Sequence, residues 1–240
     1  MSISASPVSG PTFFSFNVNN GLFSFNLPIS PTNGNTLFLT FYGVGDVRDP
    51  SIISVSQGGV TWATALANDN GGDGEIWYGV VGPNASNNIT INVNGSTNLE
   101  TLEIIIIAEW GGVFALDQTG SNFGSDVSAG TTGSAGPTNN NNELLIALIG
   151  TFAGATPTIQ STPLNGFNQF DGTTSVQQGI YNNFSTLALL YLNVSIIMSY
   201  SSGTSFNQTA EYQGGIASFI QTKPPISNYF IGDGLTFYSA

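Results

Sequence analysis

The chain is a succession of short apolar segments separated by polar turns. The apolar segments are rich in Val, Ile, Phe, Thr and Tyr, and clusters of Gly, Pro, Asn and Ser lie between them. Residues 89–93 alternate, so that the Ile and Val side chains share one face of a strand and the Thr and Asn side chains the other. Residues 102–108 and 144–149 are almost continuously apolar and predict central strands that are buried on both faces. The pattern predicts an all-β fold, a sandwich or a barrel.

The two halves of the chain resemble each other. A Pro-Thr-Asn motif that precedes an apolar strand stands at residues 31–33 and again at residues 137–139. An Ala-Glu-aromatic motif stands at residues 108–110 and again at residues 210–212. Because the motifs recur in the same order at similar distances, they predict an internal duplication.

The duplication predicts the domain organisation. Two pseudo-repeats, residues 31–115 and 137–220, are expected within one antiparallel β-sandwich of residues 30–222. Residues 117–137 are rich in Gly, Ser and Thr and are expected to form a long surface loop between the repeats. Two separate small sandwiches are the alternative arrangement.

Both ends of the chain are predicted to form arms. Residues 1–29 are expected to contain a hairpin that turns at Asn19-Asn20-Gly21, because an Asn-Gly step supplies the positive φ that such turns need. Residues 223–240 are expected to form an apolar arm, because Pro224 and Pro225 end the preceding strand. An apolar arm left in water is an aggregation hazard, so we expect it to pack on its own sandwich or on a neighbouring subunit. Its candidate assembly residues are Tyr229, Phe230, Ile231, Leu235, Phe237 and Tyr238.

The composition excludes several kinds of chemistry. The 240-residue chain has two basic residues, fourteen acidic residues, no His and no Cys, and its formal net charge is −12. Without Cys and His it cannot form a disulfide, a Ser-His-Asp triad or a usual zinc site. Two basic residues cannot neutralise a phosphate backbone or bind an anionic lipid surface. We therefore expect neither nucleic acid nor membrane among its partners.

One segment is dense in oxygen ligands. Residues 68–75 include Asp69, Asp73 and Glu75 among Asn and Gly residues. Calcium prefers hard oxygen ligands, so these three carboxylates are the candidate calcium site and calcium is the one cofactor to be considered. The spacing does not match an EF-hand loop, and a plain turn between two strands is the alternative. No other cofactor is expected.

Three aromatic residues are candidates for carbohydrate contact. Trp62, Trp77 and Tyr78 could stack on sugar rings beside loops rich in Asn and Gly. The alternative is that these strand aromatics fill the core of the sandwich.

The remaining option for hydrolysis is a pair of carboxylates. Glu109 and Glu211 hold equivalent places in the duplicated motif, and paired carboxylates perform glycoside hydrolysis. A duplicated glutamate is explained as well by a structural role, such as accepting backbone N–H bonds at a strand end. We expect the structural role, and we expect that the chain is not an enzyme.

The order of several short motifs resembles a family of β-sandwich domains found in phage virion proteins and bacterial surface proteins. The resemblance covers roughly residues 30–220 and is carried by Gly59-Val60-Thr61-Trp62, Ile76-Trp77-Tyr78, Ile89-Thr90-Ile91-Asn92-Val93, Glu109-Trp110-Gly111-Gly112-Val113 and Leu116-Asp117. It implies a concanavalin-like or jelly-roll sandwich displayed on a surface. The motifs are strands and corners, and none of them is a catalytic signature.

The resemblance and the arms together indicate a function. We expect a non-enzymatic structural protein on the outside of a phage virion, either a capsid decoration protein or a tail-fibre component. Its partners would be other virion proteins and copies of itself, and its location the virion surface or the extracellular space. A carbohydrate-binding adhesin, which would contact a host-surface glycan, and a self-polymerising extracellular filament subunit are the alternatives.

Overall fold

The computed structural model describes residues 7–16, 21–44, 51–67, 74–94, 102–153, 158, 160, 162–170, 174–178 and 183–223. These residues form fourteen strands and no helix. The strands are β1 Ser9–Phe16, β2 Gly21–Asn26, β3 Thr36–Val44, β4 Ser51–Gln57, β5 Val60–Leu66, β6 Gly74–Val81, β7 Asn88–Asn94, β8 Leu102–Trp110, β9 Val113–Thr131, β10 Glu143–Ala153, β11 Asn168–Gln169, β12 Thr174–Gln178, β13 Asn183–Val194 and β14 Gly203–Lys223. The predicted all-β fold is confirmed.

The strands form three antiparallel sheets. The central sheet has the order β1-β8-β3-β6-β5, and the small sheet has the order β2-β7-β4. The large sheet has the order β11-β13-β10-β14-β9, and β12 also pairs with β13. Every strand pair is antiparallel.

The central sheet has an apolar core on each face, and its strands explain why. In β8, Ile105 and Ile107 pack with the small sheet, whereas Ile106 and Ala108 pack with the large sheet. Successive side chains of a strand point to opposite faces, so a continuously apolar strand fills two cores. The prediction that residues 102–108 are buried on both faces is confirmed for residues 105–108.

Strand β10 fills two cores in the same way. Leu144, Ile146 and Leu148 pack against the central sheet. Leu145, Ala147 and Ile149 belong to a third core on the outer face of the large sheet. All six side chains are fully buried, as predicted for residues 144–149.

The large sheet covers its outer face with its own longest strands. β9 has 19 residues and β14 has 21, and the two pair as a long two-stranded ribbon. Their register shifts at four places, which bends this ribbon. Phe206, Ala210 and Tyr212 of β14 fill the third core. The Tyr212 ring packs so closely on the backbone of residue 130 that only glycine fits there. A Cβ added to Gly130 would lie 2.7 Å from the Tyr212 ring.

Two expectations about individual segments are corrected. The amino-terminal hairpin is wrong, because β1 pairs with β8 of the central sheet and β2 pairs with β7 of the small sheet. The predicted loop 117–137 is largely strand, since β9 extends to Thr131. Residues 195–202 form the loop between β13 and β14, which contains an isolated bridge between Ala135 and Tyr200.

The duplicated motifs occupy different positions in their strand pairs. β3 pairs with β8, and β10 with β14, as equivalent strands would. Glu109 lies opposite Leu37 near the start of β3, whereas Glu211 lies opposite Phe152 near the end of β10. The pseudo-repeats 31–115 and 137–220, the domain limits around them and the jelly-roll or concanavalin type remain predictions.

Candidate functional site

Glu75 is a buried carboxyl group that joins two sheets. It lies on β6 of the central sheet and is 2% exposed. Its Oε1 accepts a hydrogen bond from the backbone N–H of Ile52 on β4 at 2.7 Å, and its Oε2 accepts one from the Trp77 indole Nε1 at 2.7 Å. Burial raises the pKa of Glu75 to about 7, against the opposing effect of these two donors. The side chain therefore fastens the small sheet to the central sheet.

The predicted calcium site is described at Glu75 alone. Asp69 and Asp73 lie outside the described residues. Both oxygens of Glu75 face N–H donors, which is the arrangement of a structural hydrogen-bond acceptor and not of a free metal ligand. Among the residues that the structure describes, no group of three or more acidic side chains is placed to hold a metal ion. Calcium binding stays a prediction.

The three candidate aromatics for sugar contact do not share a surface. Trp77 packs in the core between the central and small sheets, and Trp62 packs against the same core. Tyr78, the next residue on β6, points to the opposite face and lies against Phe219 with ring centroids 5.3 Å apart. The placement favours the core role for all three side chains.

Glu109 holds together a corner of the central sheet. Its Oε1 accepts hydrogen bonds from the backbone N–H of Thr32 at 2.9 Å and from the Asn35 side-chain amide at 2.6 Å. The Asn35 Oδ1 accepts in turn from the backbone N–H of Gly112 at 3.2 Å. The side chain is buried. This is the structural role that was the alternative to catalysis, a carboxylate that accepts a backbone N–H at the end of a strand.

Glu211 does not join Glu109. Glu109 lies on β8 of the central sheet, and Glu211 lies on β14 of the large sheet, where its side chain is exposed. Glycoside hydrolysis needs two carboxyl groups on either side of one bond. The chain pairing places the two glutamates in different sheets, and the duplicated sequence motif gave no sign of this.

A different pair of carboxyl groups lies at one end of the large sheet. The backbone N–H of Asn140 donates to Glu143 Oε1 at 2.9 Å, and the backbone N–H of Asn139 donates to Asp117 Oδ2 at 2.8 Å. Burial is the main effect that raises the pKa of Glu143, and the neighbouring Asp117 charge adds to it. Partial burial also opposes ionisation of Asp117, but donors from Asn139 and Gln118 outweigh it and lower the pKa of Asp117. This pair was not predicted, because its members are far apart in the chain and were assigned to a loop and a strand.

The large sheet has an open edge, which is the second feature that sequence reasoning missed. Among the strands that the structure describes, β9 is the last of the sheet and pairs with β14 alone. Along residues 119–131 most side chains are exposed, Asp126 is the one charged residue, and Phe123 is 62% exposed. We refer to residues 119–131 as the open edge.

Three consecutive apolar residues are exposed in the loop between β13 and β14. Ile196, Ile197 and Met198 are 63%, 56% and 50% exposed, and we refer to them as the apolar loop. The assembly residues predicted from the sequence, at 229–231, 235, 237 and 238, lie outside the described residues.

Neither a membrane-spanning helix among the described residues nor a match to a known protein was found. In the part of the chain that the structure describes, no helix is long and apolar enough to cross a bilayer. No protein-family model, no curated protein and no solved structure matches the chain.

Proposed function

We propose that the chain is a non-enzymatic structural protein on the outside of a phage particle, either a capsid decoration protein or a tail-fibre component. Strand contacts and apolar-arm contacts hold it to neighbouring virion proteins and to copies of itself. The virion character follows from the motif resemblance, and the assembly is supported by the open edge. A self-polymerising filament subunit would use the same contacts and is the alternative.

The open edge is the observation that carries the proposal. An edge strand presents unpaired N–H and C=O groups, and natural proteins usually protect such edges with charges, prolines or short length. The open edge belongs to a strand of 19 residues, has a single charged residue and contains no proline. A strand from another chain can extend the large sheet there by backbone hydrogen bonding.

The buried carboxyl groups support a structural role over a catalytic one. Glu75, Glu109 and Glu143 each accept at least one backbone N–H bond that fixes a neighbouring segment. General acid–base chemistry requires a carboxyl group within reach of a substrate. Each of these three groups instead lies inside the fold as a fastener between segments.

Light scattering of the full chain over a range of concentrations tests the proposal. We expect the molar mass to exceed the 25.0 kDa of one chain as concentration rises. In the Phe123→Lys variant a charge replaces the exposed aromatic side chain of the open edge, and we expect association to weaken about tenfold or more. A mass of one chain at every concentration would contradict the proposal.

The matched control places the same charge on another exposed apolar position. Leu22 of the small sheet is 72% exposed and lies in a different sheet from the open edge. Leu22→Lys is therefore expected to associate like the unmodified chain. A mass that reaches a plateau indicates a closed assembly, as expected for a decoration protein, whereas a mass that keeps rising indicates a filament.

A further inference from the structure

The apolar loop is an exposed apolar surface that is separate from the open edge. Ile196, Ile197 and Met198 stand together, while the other exposed large apolar side chains of the described residues (Val8, Leu22, Ile29, Ile53, Phe123 and Leu164) are distributed over several segments. Single exposed apolar side chains are ordinary, but a contiguous group indicates a contact surface.

The apolar loop is held in place by hydrogen bonds on both sides. The backbone N–H of Thr138 donates to the carbonyl of Met198 at 3.2 Å. Tyr200 pairs with Ala135 through two backbone bonds of 3.0 and 3.2 Å, and the Tyr200 hydroxyl donates to the carbonyl of Ile196 at 2.6 Å. The three side chains are thus presented outward from a fixed backbone, so a partner would not have to order the loop on binding.

The apolar loop and the exit of the carboxy-terminal segment lie at the same end of the large sheet. Glu143 is the first residue of β10, which lies between β13 and β14. It pairs with Val194 of β13 on one side and with Ile220 of β14 on the other. The apolar loop begins two residues after Val194, and β14 ends at Lys223, three residues after Ile220. The last described residue of β14 therefore lies at the same end of the large sheet as the apolar loop.

The segment 224–240 has the length and chemistry to cover the apolar loop. It has seventeen residues, which span at most about 56 Å when extended at roughly 3.3 Å per residue. It carries one charge, Asp233, and seven large apolar or aromatic residues: Ile226, Tyr229, Phe230, Ile231, Leu235, Phe237 and Tyr238. An apolar segment and an apolar loop both lose exposed apolar surface when they associate.

We propose that the apolar loop is the docking site of the carboxy-terminal segment 224–240. The proposal rests on the proposed function in one respect: it names the surface that receives the apolar arm. The segment reaches the loop from its own chain, because β14 ends at the same end of the large sheet as the loop.

Oxidation of Met198 by hydrogen peroxide is the first test. Met198 and Met1 are the two methionines of the chain, so sulfoxide at residue 198 is read directly by peptide mass spectrometry. In a full-length variant with Phe230→Ser and Phe237→Ser, we expect Met198 to oxidise about threefold faster or more, because the weakened segment no longer shields it. Equal rates in the variant and the unmodified chain would overturn the proposal.

The control variant removes two exposed apolar side chains elsewhere. Leu22→Ser with Ile53→Ser changes the small sheet, and we expect the Met198 oxidation rate to stay as in the unmodified chain. Acceleration in this control as large as in the arm variant would show a general loosening of the fold and would overturn the proposal.

Disulfide trapping in the full chain is the second test, and the absence of native Cys makes it clean. We expect Ile197→Cys with Phe230→Cys to cross-link at least about tenfold faster than Ile53→Cys with Phe230→Cys. Ile53 and Ile197 are equally exposed, at 56%, so reactivity alone does not favour either pair. Equal cross-linking rates would overturn the proposal.

The two tests distinguish this proposal from the proposed function. Cross-links within one chain support docking on the apolar loop and remove the arm from the contacts between subunits. Cross-links between chains overturn docking within the chain and support the arm contacts between subunits. Concentration-dependent association without protection of Met198 overturns the docking proposal and leaves the structural function standing.

Discussion

The central sheet and the large sheet each bury two apolar faces, but they do so by different means. The central sheet is covered by another sheet on each side, and its edge strands β1 and β5 have eight and seven residues. The large sheet is covered by the central sheet on one side and, on the other, by its own bent β9–β14 ribbon together with loop residues Ala135, Phe167 and Tyr200. A sheet that covers itself needs long strands, and the outer of the two long strands is left as the open edge.

The largest expected effect comes from comparing the two cores that β10 fills. Ile146 faces the central sheet and Ile149 faces the bent ribbon, and both are fully buried. We expect Ile146→Ala to lower the free energy of unfolding by about 4 kcal/mol and Ile149→Ala by about 2–3 kcal/mol, because a ribbon covering one face relaxes around a cavity more readily than two stacked sheets. Urea unfolding measures both, and a larger loss for Ile149→Ala would break the comparison.

The free energy of unfolding is expected to depend on pH through Glu75, which fastens the small sheet to the central sheet. The folded pKa of Glu75 is raised from 4.5 to about 7, so the folded state keeps the proton where the unfolded chain has lost it. The free energy of unfolding should therefore fall as pH rises from about 4.5 to about 7, by up to about 3 kcal/mol, and then level off.

The Glu75→Gln variant isolates this contribution. Gln cannot ionise, so the difference between the unmodified chain and the variant should change between pH 5 and pH 8 in favour of the variant. Urea unfolding at both values measures it, and the other carboxyl groups cancel in the difference. An unfolding free energy that differs by the same amount at both pH values would contradict the account of Glu75.

Two glycines lie where an aromatic ring packs closely against the backbone, one in each of the two interfaces compared above. A Cβ added to Gly150 would lie 2.2 Å from the Tyr42 ring, between the central and large sheets. A Cβ added to Gly130 would meet the Tyr212 ring at 2.7 Å, inside the bent ribbon. We expect Gly150→Ala to cost about 2–3 kcal/mol and Gly130→Ala about 1 kcal/mol, because overpacking is worse where neither side can shift.

Gly58 supplies the control for these glycines. A Cβ added there would lie 3.5 Å from Ser86 Cβ, which is ordinary van der Waals contact. Gly58→Ala should change stability by less than about 1 kcal/mol. Thermal unfolding of the three variants ranks them, and the reverse order of Gly150→Ala and Gly130→Ala would contradict the comparison.

The smallest expected effect concerns the carboxyl pair at the end of the large sheet. Asp117→Asn should cost about 0.8 kcal/mol at pH 7, because the ionised acceptor of the exposed Asn139 N–H is lost. Since hydrogen bonds lower the pKa of Asp117, its contribution is present above about 3.8 and is lost as pH falls through the lower folded value. Thermal unfolding at pH 7 and pH 3 checks this, and an equal cost at both would contradict it.

Glu143→Gln is the matched variant for the pair. Burial favours the neutral form of Glu143, so a neutral amide of similar shape should cost less than Asp117→Asn, about 0.5 kcal/mol. A double-mutant cycle with Asp117→Asn then measures the coupling between the two groups.

The strands that could be predicted from the sequence to be buried on both faces are those whose side chains are nearly all apolar. β8 and β10 were predicted because an apolar residue at nearly every position has one physical explanation in a β protein, burial on both faces. β9 was missed because Gly, Ser and Thr are typical of loops, and the strand is held by backbone pairing with β14. The predicted hairpin at residues 1–29 was wrong because the pairing of β1 and β2 with strands of different sheets is set by tertiary contacts, such as Phe14 against Phe25 with ring centroids 3.8 Å apart.

The candidate site was predictable only where the role of a residue follows from its own position in a strand. The structural role of Glu109 followed from its place at a strand end, and the core role of Trp77 from its place in a strand. The Asp117–Glu143 pair, the open edge and the apolar loop depend on which strands meet in the large sheet. No spacing in the chain encodes that arrangement.

Amide hydrogen exchange along the open edge tests the central claim of assembly most directly. The full chain is exchanged at a low and at a high concentration, and peptides covering residues 119–131 are compared with peptides covering the small-sheet strand β7. We predict that residues 119–131 become protected at high concentration while β7 is unchanged, because an added strand would bond the N–H groups of β9 that face away from β14. Exchange at residues 119–131 that is the same at both concentrations would contradict the account.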